Sequence, residues 1–215
     1  MQKLLLGLLV WSAFAAAKDE EFAKHPTPKQ PLFLSEQSQA IFKGAMPPMP
    51  ALESEQQKAD EAELNALQKS RTPADCDRAR AEVSVSLQTF FGKPVGPLDS
   101  KTIARLNPFF EQVRNDADYF IHALKRDLPR ARPYSYILGI EPCIPREVSL
   151  AYPSGHATLA KVFARVLTDL YPKQKTVLEA RAKQIGDDRV LAGVHHRSDI
   201  EAGRKLADLV YEEMV

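Results

Sequence analysis

The sequence predicts an all-α protein: a single compact domain of six or seven helices, preceded by a proline-rich N-terminal arm. From residue 51 onward, apolar residues recur at the three- and four-residue spacing that places them on one face of a helix. No run alternates apolar and polar residues as a half-buried strand does. The 215 residues are enough for one domain with a full core, and they contain no internal repeat.

The N-terminal 17 residues have the pattern of a secretory signal peptide. Lys3 supplies the positive charge, Leu4–Trp11 the short apolar run and Ala15–Ala17 the small residues of a cleavage site. This run is shorter than the roughly 20 residues that span a bilayer, so an export signal is preferred to a membrane anchor. We therefore expect a periplasmic or secreted protein with a signal peptide over 1–17, an arm over 18–50 and a helical domain over 51–215.

The helices are predicted from local boundary signals. Frequent prolines keep the arm extended, apart from a short helix expected near Ser35–Phe42. Pro73 suits a first helical position, Asp99 or Ser100 and then Ser154 suit N-caps, and Ser198–Glu201 has the form of a capping box. Residues 130–150 are predicted to form an ordered loop. The expected helices run over 51–71, 72–91, 99–124, 154–171, 173–193 and 198 to the end.

Charge and cysteine content narrow the function further. The 29 basic residues are balanced by 28 acidic ones, so a positive site must be local and no nucleic-acid partner is indicated. Cys76 and Cys143 are the only cysteines. In an exported protein two cysteines most simply form one disulfide, the alternative being two unpaired buried thiols. No metal site is expected, because neither cysteine has a second Cys or His at ligand spacing.

The chain is organised around the turn Ala151-Tyr-Pro-Ser-Gly-His-Ala157, which leads into a helix. Ser154 caps that helix, so Gly155 and His156 lie at its positive end among exposed backbone N–H groups. Such an end binds anions, and the imidazole adds a proton donor. Many helices begin with Ser-Gly, so the turn is suggestive only together with two further segments.

Those two segments carry basic residues and a histidine–carboxylate pair. Lys125, Arg130 and Arg132 stand at the end of the long third helix, where a solvated basic helix end is the alternative interpretation. His195 lies between the last two helices, four residues before Asp199. That carboxylate can accept one ring N–H and leave the other nitrogen free as a nucleophile, the alternative being a purely structural hydrogen bond.

Together the three segments resemble the signature of the phosphatidic acid phosphatase type 2 and vanadium haloperoxidase superfamily. The matching pattern is Lys125-x6-Arg132-Pro133, then Pro153-Ser-Gly-His156, then Arg189-x5-His195-x3-Asp199. Within it the chain is most similar to the bacterial class A non-specific acid phosphatases. That narrower resemblance rests on Arg130-x-Arg132-Pro133, Tyr152–His156, the tail from Ser198 to Gly203, and Pro47–Pro50 far upstream.

The resemblance implies a metal-independent hydrolase of small phosphate monoesters with no cofactor. His195 would be the nucleophile that becomes phosphohistidine, Asp199 would stabilise its imidazolium, and His156 would protonate the leaving alcohol and then activate water. Arg130 would have a supporting role, and a homo-oligomer is left open. The phosphate-binding groups would be Lys125, Arg132, Ser154, Gly155 and Arg189.

Three other functions are weighed against this one. A vanadate-dependent haloperoxidase would use the same cradle, although the chain is short for that class, and a lipid phosphate phosphatase would act at a bilayer. A non-catalytic phosphate-binding relic is suggested by Asp188, which stands where the family usually has Ser. This carboxylate either lowers anion affinity by repulsion or points away and orients Arg189. His25, His122 and His196 match no motif position and are expected to be surface or packing residues.

Overall fold

The structure is a computed structural model, and it describes residues 29–215. The predicted signal peptide lies outside the described residues, as does the first part of the arm. Residues 29–146 and 150–215 belong to one compact unit, which contains all the helices below, whereas residues 147–149 fall outside it. No strand is present among the described residues, which confirms the all-α prediction. None of the described helices is both long and apolar enough to span a bilayer.

Eight α-helices occur between residues 29 and 215, one or two more than expected. In chain order they are α1 Ser38–Ala45, α2 Glu55–Ser70, α3 Pro73–Ala81, α4 Leu87–Phe91, α5 Ser100–Asp127, α6 Gly155–Leu170, α7 Lys175–Leu191 and α8 Arg197–Met214.

The predicted helix over 72–91 is wrong as a single element. Thr72 opens α3 with a capping box to Asp75, as Pro73 led us to expect, but that helix ends at Ala81. A short non-helical stretch follows, and Ser86 then caps α4 through the Thr89 N–H. Residues 83–86 alternate valine and serine, and both residue types favour helix interiors less than caps or extended segments. The sequence therefore contains a second N-cap that the apolar spacing concealed.

The last helix also begins differently from the prediction. His196, and not Ser198, is its N-cap, and the His196 backbone N–H donates to the Asp199 carboxylate at 2.8 Å. The capping-box assignment to Ser198 and Glu201 was thus wrong by two residues. This places the Asp199 carboxylate at the start of α8, facing back toward the histidines that precede it.

The core surrounds α6, which packs against α5, α7 and α8. Phe163 of α6 meets Phe110 of α5 edge-on, with ring centroids 5.1 Å apart, and Phe90 of α4 lies beside the same ring. Gly203 of α8 is required for this packing, because a Cβ there would lie 2.5 Å from the Ser154 carbonyl oxygen. The absence of that side chain lets α8 approach the start of α6, where the predicted site residues gather.

The described part of the arm lies against α5. The backbone N–H groups of residues 32, 33 and 34 donate to the carboxylate of Asp116 at 2.7, 2.7 and 3.0 Å. Asp116 is fully buried, so these bonds replace the water that its charge would otherwise need.

Candidate active site

Backbone hydrogen bonds bring the three predicted segments together. The Ala151 N–H donates to the Arg130 carbonyl at 2.8 Å, which joins the loop after α5 to the turn before α6. The Ser154 N–H donates to the Asp199 carbonyl at 3.0 Å, which joins that turn to α8. Arg132 adds a side-chain bond to the Val194 carbonyl at 2.9 Å. Residues more than 60 positions apart in the sequence thus form one site.

His195 is held between a carboxylate and a guanidinium. Its Nδ1 lies 3.2 Å from Asp199 Oδ2, and its Nε2 lies 2.8 Å from Arg132 Nη1. A guanidinium can only donate, so Nε2 accepts and Nδ1 carries the hydrogen that faces Asp199. The ring is 1% exposed. The arrangement fixes a neutral imidazole whose Nε2 lone pair faces a cation.

Asp199 is completely buried and remains ionised because several donors converge on it. Burial by itself would raise the pKa of Asp199, but hydrogen bonds from His195 and His196 and the charge of Arg130 hold that pKa well below its usual range. Oδ1 accepts from Arg130 at 2.6 Å. A stable negative charge therefore lies beside Nδ1 of His195.

Arg130 contacts the carboxylates of the site. Besides Asp199, it donates to Asp60 at 2.9 Å, to Gln57 at 2.6 Å and to Ser198 at 2.7 Å. Burial opposes its charge, but the two aspartates outweigh that cost and raise the pKa of Arg130. In the structure it therefore anchors α2 and α8 around Asp199.

The other predicted cations are also buried. Lys125, in the last turn of α5, is 3% exposed and donates to the Leu150 carbonyl, next to the turn that leads into α6. Arg132 is 5% exposed, and Arg189, near the end of α7, is fully buried. Such burial of Lys and Arg is uncommon, because proteins leave these charges in water unless partners compensate them.

The start of α6 has the cap that the sequence predicted. The Ser154 hydroxyl accepts from the Ala157 N–H at 3.4 Å, and the side chain is buried. Gly155 has space for a Cβ, whose nearest neighbour would be Ile121 at 3.6 Å. Since packing does not require glycine there, its effect is to leave the N-terminal N–H groups of α6 uncovered by a side chain.

His156 contacts the segment that follows α3. Its Nε2 lies 3.1 Å from the Glu82 carbonyl and 3.2 Å from the Val83 carbonyl. Carbonyl oxygens only accept, so Nε2 carries a hydrogen, and two acceptors also suit a protonated ring. The ring of Phe90 lies beside it, with centroids 5.9 Å apart. The environment of His156 thus favours a proton donor.

Asp188 forms an ion pair that the sequence did not predict. Arg78 of α3 donates to both of its carboxylate oxygens, at 2.8 and 2.7 Å. The carboxylate is nearly buried and the guanidinium is about one-third exposed. The negative charge that replaces the family's usual Ser is therefore paired with a cation 110 positions away.

Sequence reasoning also missed His196. It was expected to be a surface or packing residue, but it is fully buried and its Nδ1 lies 3.0 Å from Asp199 Oδ2. Its Nε2 lies 2.8 Å from the hydroxyl of Tyr136. The three-residue spacing to Asp199 was the available signal, since an N-cap and its N3 residue face each other.

The disulfide expected from the cysteine count is present. Cys76 of α3 and Cys143 of the loop before α6 are bonded, with Cα atoms 5.7 Å apart. The bond fastens α3, which carries Arg78 and leads to the carbonyls beside His156. Since the two cysteines are bonded to each other, the alternative of two unpaired buried thiols is excluded.

These features define an all-α protein in which two buried histidines, an ionised carboxylate and several basic side chains come together. No family model matches the chain. A non-specific acid phosphatase from Providencia stuartii is 28% identical over 225 residues, which cover 96% of this chain and 88% of that protein.

Two solved structures share the fold. A bacterial vanadium-dependent iodoperoxidase gives a TM-score of 0.62 at 15% identity, covering 87% of this chain and 58% of its own. A transmembrane PAP2-type phosphatidylglycerolphosphate phosphatase from Bacillus subtilis gives 0.54 at 19% identity, covering 83% and 90%. The comparisons confirm the resemblance to non-specific acid phosphatases within this superfamily. They also confirm the prediction of an enzyme, a phosphoric monoester hydrolase.

Proposed function

We propose that the protein is an exported, metal-independent acid phosphatase that hydrolyses small phosphate monoesters through a phosphohistidine at His195. The observation that carries this proposal is the orientation of His195. Its Nδ1–H faces the ionised Asp199, and its Nε2 lone pair faces Arg132. A nucleophile needs such an unprotonated nitrogen and a nearby negative charge to stabilise the cation that it becomes.

In the first step Nε2 of His195 attacks phosphorus. The P–N bond forms as the ester P–O bond breaks, and the leaving oxygen takes the proton of His156. The guanidinium of Arg132, which donates to Nε2 in the resting site, transfers its hydrogen bonds to the phosphate oxygens. Lys125, Arg189 and the N–H group of Gly155 are proposed to bind the remaining oxygen charge, whereas the Ser154 N–H is held by the Asp199 carbonyl.

In the second step water attacks the phosphohistidine. His156, now neutral, removes the proton from water as the new P–O bond forms, and the P–N bond breaks to return the electron pair to His195. Inorganic phosphate leaves, and both histidines regain their first state. Asp199 remains ionised throughout, because its low pKa keeps protons from transferring to it.

The test uses p-nitrophenyl phosphate, with and without EDTA, and rapid acid-free denaturation of protein incubated with labelled substrate. We expect full activity after chelation, and label on His195 that His195→Ala abolishes. Loss of activity with EDTA that a divalent ion restores would overturn the mechanism. Label on another residue would also overturn it. Oxidation of bromide or iodide by added hydrogen peroxide in the presence of vanadate, without hydrolysis, would favour a haloperoxidase.

Export is tested separately. N-terminal sequencing of the protein from the periplasm or medium of a bacterial culture should begin after Ala17. A protein retained in the cytoplasm with Met1 intact would contradict this part of the proposal.

A further inference from the structure

Two histidines compete for one oxygen of Asp199. Oδ2 lies 3.2 Å from His195 Nδ1, 3.0 Å from His196 Nδ1 and 2.8 Å from the His196 backbone nitrogen. None of the motifs in the sequence assigns a role to His196. Because His196 contacts the same carboxylate as the proposed nucleophile, it is placed to affect the chemistry of His195.

The direction of the hydrogen bonds around His196 can be derived from Arg130. Arg130 Nη2 lies 2.6 Å from Gln57 Oε1, and a guanidinium only donates, so this amide atom is the oxygen. The Gln57 amide nitrogen then donates its two hydrogens, one to Glu61 at 2.8 Å and the other to the Tyr136 hydroxyl at 2.7 Å. The orientation of the amide is therefore fixed at both ends.

The orientation of the Gln57 amide determines the direction of the hydrogen bond between Tyr136 and His196. The Tyr136 oxygen accepts from Gln57, so its own hydrogen is directed to His196 Nε2 at 2.8 Å. Burial raises the pKa of Tyr136 to about 12, so the hydroxyl keeps that hydrogen. His196 Nε2 is then an acceptor, and its Nδ1–H donates to Asp199. A chain of donors leads from Arg130 to Asp199, whose other oxygen Arg130 contacts directly.

We propose that His196 is a positioning residue that shares Asp199 Oδ2 with His195 and thereby lowers the basicity of His195. A carboxylate oxygen that accepts three N–H groups offers each of them less stabilisation than it would offer one. The proposal rests on the function proposed above for His195. Its consequence is that His195 stays neutral, and thus nucleophilic, at the acidic pH where His156 is protonated.

Other charged groups face the two histidines from the elements packed around them. Asp60 and Glu61 belong to α2, and Asp60 contacts Arg130 and Ser198. Arg130 and Arg132 come from the loop after α5. These charges are unchanged by a substitution at His196, so a difference between its variants reports on the shared oxygen.

Two substitutions at His196 test the proposal. His196→Leu removes the side-chain donor, whereas His196→Asn retains an amide N–H close to the position of Nδ1. We expect the acid limb of the kcat/KM profile to move about one pH unit higher in His196→Leu. His196→Asn should follow the wild-type profile. Equal profiles for all three proteins, or equal shifts for both variants, would overturn the proposal.

Nuclear magnetic resonance gives a readout that does not depend on catalysis. In protein with nitrogen-15 histidine, His196 should show the tautomer protonated at Nδ1, and the titration of His195 should shift upward only in His196→Leu. The opposite tautomer in the wild type would refute the derived chain, even if His196→Leu failed to fold. A His195 shift in a protein without phosphatase activity would support the shared oxygen and refute only the proposed function.

Discussion

Asp199 and Glu82 are both buried carboxylates of the candidate site, yet their pKa values move in opposite directions. Asp199, beside His195, accepts from four N–H donors: one from Arg130, one from the His195 ring, and the ring and backbone N–H groups of His196. Glu82 accepts from Arg181 at 2.6 Å, while its Oε2 has no hydrogen-bond partner among the described residues. Burial raises the pKa of Glu82 and outweighs Arg181.

The comparison shows that donors, and not burial alone, decide the charge of a buried carboxylate. The comparison also divides the site into two parts, named the His195 side and the His156 side after the histidine that each contains. The His195 side contains a fixed negative charge, Asp199, surrounded by N–H donors. The His156 side contains backbone carbonyls and a carboxyl group that resists ionisation, and it is fastened by the disulfide of α3.

The largest expected effect tests the two carboxylates directly. Asp199→Asn removes the charge that stabilises the His195 imidazolium, and we expect kcat to fall by about 10⁴-fold, as for an Asp→Asn change beside another catalytic histidine. Glu82→Gln is the matched control, because it also exchanges a buried carboxylate for an amide. It should retain kcat within about threefold. Equal losses in steady-state assays would show that the two carboxylates do not differ in function.

A second test uses the leaving group to separate the two histidines. p-Nitrophenolate departs without a proton, whereas the alkoxide of glycerol phosphate does not. His156→Ala should therefore lose about 10⁴-fold on glycerol phosphate and about 10²-fold on p-nitrophenyl phosphate. Rapid quenching should also show accumulated phosphoenzyme, since the same residue activates water.

The control for this test is His195→Ala, which should be inactive on both substrates because it removes the bond-forming atom. Phosphorus found on His156, or an equal loss on both substrates without a trapped intermediate, would show that the two roles are reversed.

The third test concerns the disulfide on the His156 side. Replacing both Cys76 and Cys143 by serine opens a loop closed over 67 residues. In the chain-entropy model the free energy of unfolding should fall by about 4 kcal/mol, which urea denaturation measures. Because α3 leads to the carbonyls beside His156, activity on glycerol phosphate should fall more than activity on p-nitrophenyl phosphate. A uniform loss would place the effect of the disulfide outside the His156 side.

Local signals in the sequence predicted the helix starts well and long-range pairs poorly, and the three site segments were connected only through the family resemblance. The Ser154 cap, the opening of α3 at Pro73 and the Asp99 cap lie where the residue types indicated. The break after Ala81 was missed, because apolar spacing continues across it. Caps act within one turn of the chain, so sequence can reveal them.

Partners distant in sequence leave no such local signal. Arg78 pairs with Asp188 across 110 positions, and Tyr136 with His196 across 60. Their residue types are common on protein surfaces, so only the packing of α3 and the loop after α5 identifies them. Asp188 is the clearest example. Its charge considered alone suggested repulsion of phosphate, whereas the structure pairs it with Arg78.

The fourth test uses pH to compare the carboxylates through stability. Folding raises the pKa of Glu82, so the folded state binds this proton more tightly than the unfolded state does. The free energy of unfolding therefore decreases as pH rises above the unfolded pKa of Glu82. Asp199 has the opposite sign, with stability present above its unfolded pKa and lost as pH falls. Relative to the wild type, Glu82→Gln should therefore gain stability from pH 4 upward, measured by urea denaturation at each pH. A pH-independent difference would contradict the raised pKa.

The smallest expected effect concerns Arg78 and Asp188, which complete the His156 side. Arg78→Ala leaves the Asp188 carboxylate nearly buried and unpaired, next in sequence to Arg189. Because the guanidinium is partly exposed, we expect a loss of only about 1 kcal/mol in the free energy of unfolding and a few-fold rise in KM. Asp188→Ser should be tolerated, and combined with Arg78→Ala it should restore both values, as a double-mutant cycle would show. Additive losses would mean that the pair does not neutralise Asp188, and that its charge acts on the phosphate site unopposed.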